Sequence, residues 1–191
     1  MTGPLLKLNA AQGSANIGGY TTPSSHPSHG LLHWPQFPLT LVVNTLPETL
    51  QGLLTIAEVE EALRRWESHL PYALFTVLPP NSSHGQVMVC WDGQPMASHP
   101  YEAGHCCRYA SSKGIIEKAV ITIVPQAVID ERLSSLQRRN RLLNTLAHEM
   151  GHALGLEHHI DPKSLMHPQG WRNTHPNNSD LQQWKRLQRL S

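Results

Sequence analysis

The stretch His148-Glu149-Met150-Gly151-His152-Ala153-Leu154-Gly155-Leu156-Glu157-His158 constrains this chain more than any other. Positions four apart lie on one face of an α-helix, one turn apart, so His148 and His152 aim two imidazoles at one point. Glu149 sits beside His148 and can reach a water at the same point. Gly155 follows the helical run and is the residue type best able to take the left-handed conformation that ends a helix. The chain can then turn and bring His158 round as a third ligand. Three protein ligands leave one tetrahedral position open for water, the arrangement of a catalytic zinc rather than a structural one. Zinc lowers the pKa of such a water to about 7, and a carboxylate beside it can take the proton. A bare H-E-x-x-H could be a solvated helix face with a coincidental Glu, but the extension to Gly155 and His158 argues against that reading. Met166, in Ser164-Leu165-Met166-His167-Pro168, reads as core filling when taken alone; its offset from His158 points to a role under the site.

The rest of the chain supplies a frame for this helix. Residues 1–30 are rich in Gly, Ser, Pro and Thr and read as a flexible lead-in, with His26 and His29 in a solvated linker. Residues 31–191 read as one domain. Leu39–Asn44 is an apolar, β-rich run. Thr55 and Glu58 make a capping box, and Val59, Ala62, Leu63, Trp66 and Leu70 follow helical spacing up to Pro71. Further strands are expected at Ala73–Leu78, Gln86–Trp91, His105–Ala110 and Ala119–Val124. The last two should pair as a hairpin, with the polar His105–Ala110 as an exposed edge to which an extended peptide could add itself. Arg138–Leu154 is the helix carrying the histidines, and Ser179-Asp180 should cap a final helix with Leu181, Trp184, Leu187 and Leu190 on one stripe.

Composition bounds the partners. A formal net charge of +1 suggests neither nucleic acid nor an anionic membrane. No early run has the length of a signal peptide's apolar core, and no later run could span a bilayer. Cys90, Cys106 and Cys107 do not make a disulfide framework; buried thiols, or a bridge from Cys90 to one of the adjacent pair, are both open.

The segment Leu146 to His158, followed by Asp161-Pro162-Lys163-Ser164-Leu165-Met166, resembles the matrixins, the matrix metalloproteinase branch of the metzincins. Trp34 with Pro38-Leu39-Thr40 is similar to the start of a matrixin catalytic domain, and Asp180–Leu187 to its last helix. The resemblance implies an α+β zincin fold: a twisted five-stranded mixed sheet, mostly parallel with one antiparallel edge strand, and three helices. It implies a monomeric zinc endopeptidase of a usually secreted family, acting on extended protein or peptide substrates. His148, His152 and His158 would hold one catalytic zinc, Glu149 would be general base and acid, and Met166 would form the turn beneath them. It further implies that the pocket for the residue after the cut is walled by Asn144 and by Gly170–Asn178, which includes Trp171. The alternative is a catalytically silent homologue that holds zinc and binds extended peptides. Two positions depart from the family pattern: His159 stands in place of a serine, and Met166-His167-Pro168 in place of Met-Tyr-Pro. His84, Asp92, His99 and His105 are too scattered to suggest a second metal site.

Overall fold

A computed structural model describes residues 6–9, 32–94, 103–128, 132–168 and 173–188. Six strands form one sheet in the order β1-β5-β6-β4-β2-β3: β1 (Leu6–Asn9), β2 (Leu39–Val43), β3 (Phe75–Val77), β4 (Val87–Cys90), β5 (Gly104–Ala110) and β6 (Ile116–Ile123). β3, β2, β4 and β6 run parallel, and β5 returns antiparallel to β6. Those five strands are the expected mixed sheet. Strands buried on both faces read as continuous apolar runs, and Leu39, Leu41, Val42 and Val43 of β2 are all buried.

β1 was not expected. It lies inside the stretch read as a flexible lead-in and pairs antiparallel with β5, Leu6 opposite Ala110 and Asn9 opposite Cys107. The β5 edge, expected to stand open from His105 to Ala110, is therefore covered over Cys107–Ala110. The physical reason is the edge itself: a row of unpaired main-chain groups recruits any extended segment within reach. Leu6-Lys7-Leu8-Asn9 alternates apolar and polar residues, as a half-buried strand does. The remainder of the lead-in, with His26 and His29, lies outside the described residues, and so do Trp171 and Leu190.

Three helices carry the architecture, with short turns at α1 (Glu48–Gln51) and α3 (Pro125–Val128). The Thr55–Glu58 capping box opens α2 (Ile56–Leu63), which continues as a 3-10 turn through His69. α4 (Ser135–Ala153) starts three residues before the expected Arg138, because Ser134 and Gln137 form a second capping box. α4 packs on β5, β6 and α2. α5 (Asn178–Gln188) buries Trp184 and Leu187, and Trp184 meets Phe37 edge to face at 5.2 Å. Its cap is Asn177, whose Oδ1 accepts from the N–H groups of Ser179 and Asp180, so Ser179-Asp180 are not the cap. None of the three cysteines forms a disulfide. No helix among the described residues is long and apolar enough to cross a membrane.

Candidate metal centre

α4 carries His148 and His152 on its last turns, both buried. Two tryptophans hold that end of the helix from below: the Trp66 indole donates to the Ala147 carbonyl and the Trp34 indole to the Ala153 carbonyl, each at 2.8 Å. The helix stops at Gly155, whose φ of +104° is the left-handed region. A Cβ there would also lie 2.6 Å from the Leu32 carbonyl oxygen. Only glycine fits on both counts, and the reversal it permits delivers His158.

The three imidazoles converge. Nε2 of His158 lies 3.2 Å from Nε2 of His148 and 3.2 Å from Nε2 of His152. Nδ1–H of His148 donates to the Leu165 carbonyl at 2.6 Å, and Nδ1–H of His152 to the Leu156 carbonyl at 2.9 Å. Those bonds set the tautomer of His148 and His152 and leave a bare lone pair on Nε2 of each, facing His158 Nε2. A cation at the centre would accept a lone pair from each of the three rings. Nitrogens 2.0–2.1 Å from a tetrahedral zinc would sit about 3.3–3.4 Å apart, so the donor set fits that ion. Burial pushes the ring of His148 down to about 4. Burial likewise lowers His152 and His158, and at His152 the closeness of the other two rings and of the Arg108 guanidinium adds to the effect. All three rings are thus neutral at pH 7, the form that binds metal. Among the described residues this is the one group of three such side chains whose ligand atoms come together.

Glu149 is buried on α4 beside His148. Burial first, and then the Glu149 carboxylate, push the Cys106 thiol well above its ordinary value, which puts β5 alongside that carboxylate. His159 is directed elsewhere. Its ring Nδ1 accepts from Asp161 N–H at 3.1 Å, and its own N–H donates to the Met166 carbonyl at 2.9 Å.

Met166 is fully buried in the tight turn from Ser164 to His167. A Cβ on Gly151 would come within 2.2 Å of the Met166 sulfur and 2.6 Å of the Trp66 ring, so the helix admits this turn only because residue 151 is glycine. A glycine inside a strongly helical run costs about 1 kcal/mol, and that was the available sign of a close approach. Asp180 had no such sign, because an acid early in a helix reads as a cap. Its buried carboxylate accepts from the Ser164 hydroxyl and from the N–H groups of Leu165, Met166 and Asn177, and so builds the turn. Asn144, one turn before His148, is buried with Oδ1 accepting from Arg65 Nη1 at 2.7 Å.

The family model for matrixins matches residues 33–187. This chain is a matrixin. The matched span runs from the bridge at His33 through β2–β6 to α5, so β1 lies outside it. Human matrix metalloproteinase-20 is similar at 27% identity over 139 residues, 71% of this chain. The matrixin described here spans 27% of that relative's length. Matrixins as a family are zinc-dependent metalloproteases.

Proposed function

We propose that this matrixin is a zinc-dependent endopeptidase, with one zinc held by His148, His152 and His158 and with Glu149 as general base and acid. The carrying observation is the convergence of three neutral imidazoles on one point, two of them with Nδ1–H tied to a carbonyl so that Nε2 is left as a ligand atom, with a buried carboxylate next to the first of them on the same helix. A zinc ion bound there supplies Lewis acidity toward a water and toward the substrate carbonyl.

The chain's own residues do the rest. Glu149 accepts the proton from the attacking water and delivers it to the leaving amine, so peptide-bond cleavage balances with no covalent intermediate. The Nδ1–H bonds to Leu165 and Leu156 keep two rings from turning as charge develops. Met166 fills the space under the histidines and keeps the helix and turn in register.

Substrate binds as an extended strand along β5. With Cys107–Ala110 paired to β1, Gly104–Cys106 is the part of that edge paired with β6 alone among the described residues. It runs abreast of Thr145 and Glu149, as the near contact of Gly104 with Thr145 and the influence of Glu149 on Cys106 indicate.

The test is mass spectrometry of peptides released from a denatured proteome by zinc-loaded protein, with a chelator control. Cleavage should stop with chelator. Glu149→Ala should keep zinc and lose about a hundredfold or more of activity, the usual contribution of a positioned general base. An unchanged rate in that variant removes Glu149 from the mechanism. A zinc-loaded protein that binds peptides but releases none is the silent homologue.

A further inference from the structure

His158 reaches the site from a loop beyond the end of α4, and its neighbour Glu157 is gripped from two sides. On one side, Arg108 of β5 donates from Nη2 to Glu157 Oε1 at 2.6 Å. On the other, the Gln183 amide of α5, in the orientation that satisfies both its ends, accepts from Glu157 N–H and donates to the Glu157 carbonyl, each at 3.2 Å. The residue before the third imidazole is thus held by its side chain to the sheet and by its main chain to the last helix.

Arg108 is an expensive way to make such a contact. It is only 2% exposed, and among the described residues its Nε and Nη1 have no hydrogen-bond partner. The Glu157 side chain is 46% exposed, so it would not be stranded without the arginine. A buried cation with one bonded nitrogen contributes little stability, and an apolar side chain of similar volume often does as well or better. What the guanidinium supplies is a fixed position for the carboxylate.

We propose that Arg108 and Gln183 are positioning residues for the metal loop: by fixing Glu157 they hold the His158 ring at the other two. The inference rests on the zinc reading above. Groups behind metal ligands commonly change metal affinity 10–100-fold.

The experiment uses the full chain loaded with zinc or with cobalt(II). It compares metal release to excess chelator, the cobalt absorption spectrum and the melting temperature of the metal-free protein. Arg108→Met and Gln183→Leu should release zinc about tenfold or more faster and alter the cobalt spectrum. Their metal-free melting temperatures should fall no further than that of Arg139→Met, which breaks the Arg139–Glu58 ion pair at the far end of α4. Arg108→Lys, a point charge without the fork, should fall between wild type and Arg108→Met. Wild-type release rates and an unchanged cobalt spectrum in both Arg108→Met and Gln183→Leu overturn the proposal. If Arg108→Met does not fold, Gln183→Leu decides alone, because that side chain is partly exposed on α5. A wild-type protein that takes up neither metal overturns the zinc reading, and the positioning role falls with it.

Discussion

His148 and His152 each have the inner ring nitrogen tied to a main-chain carbonyl, at 2.6 and 2.9 Å. Arg108, on the strand beside them, has one bonded nitrogen of its three among the described residues. The contrast extends to everything around each. Beneath the histidines, the Asp180 carboxylate collects four donors and Met166 fits against a helix narrowed by Gly151. Along β5, four of the seven edge residues are closed by a strand about a hundred positions away in the chain, and the rest pair on one side only among the described residues. One region is over-determined by short-range geometry; the other depends on contacts that could be exchanged. The proposed peptidase activity calls for that division, because ligands must not move while the substrate's strand must come and go.

The largest test of the rigid half is the third ligand. His158→Ala should bind zinc far more weakly and lose cleavage, whereas His159→Ala, whose ring serves Asp161, should keep its zinc. Atomic absorption after dialysis reads both. A His158→Ala protein that keeps full zinc while His159→Ala loses it would make His159 the ligand and reverse the assignment.

The exchangeable half predicts a smaller effect with the opposite sign. In an antiparallel pair, alternate residues aim both main-chain groups at the partner, so of Lys7 and Leu8 only one faces β5. Proline at that position removes a ladder bond worth about 0.5–1.5 kcal/mol, while proline at the other removes none. One of Lys7→Pro and Leu8→Pro should therefore lower KM for a long peptide by about two- to tenfold at constant kcat. Equal KM values in both variants and wild type would mean that β1 does not compete with substrate.

The same division explains what could be read from the residues alone. The ligand helix was legible because a 3.6-residue period and a glycine needed at positive φ are local properties of His148–Gly155. The Thr55 capping box was legible for the same reason. The box at Ser134 is equally local, but with Gln137 in place of the commoner Glu it is a weaker mark of a helix start. β1, the Asp180 cradle and the grip of Arg108 on Glu157 join residues that no spacing connects. A four-residue strand in a Gly- and Ser-rich stretch has no period long enough to see. Arg108 reads as a polar edge residue in the sequence, and its burial and its bond to Glu157, 49 positions on, exist only in the folded chain.

Within the rigid half, Met166→Leu should be nearly silent. The two side chains are close in volume, and such swaps usually cost less than about 1.5 kcal/mol, which chemical denaturation would measure. Cleavage should be spared, because the sulfur packs against Gly151 and is not required as a ligand. A loss of zinc in this variant would give the sulfur a direct part in binding the metal.

A change of preference and not of rate is expected where the two halves meet, at Asn144. It stands on the ligand helix one turn before His148, yet its carbonyl oxygen is committed to Arg65 of the neighbouring 3-10 turn. That bond fixes a polar group at the position that, by resemblance to the family, walls the pocket for the residue after the cut. Such a wall should accept medium-sized apolar residues such as Leu, and polar ones of similar length. Asn144→Leu removes the acceptor from a partly buried guanidinium and makes the wall apolar; Asn144→Asp keeps the acceptor. A peptide library cut by all three proteins separates the roles. If Asn144 lines the pocket, the Leu variant should shift preference toward apolar residues by about two- to tenfold, the size of one hydrogen bond, while overall turnover changes little. If it serves only Arg65, the Leu variant should melt at a lower temperature and cut the library with the wild-type preference.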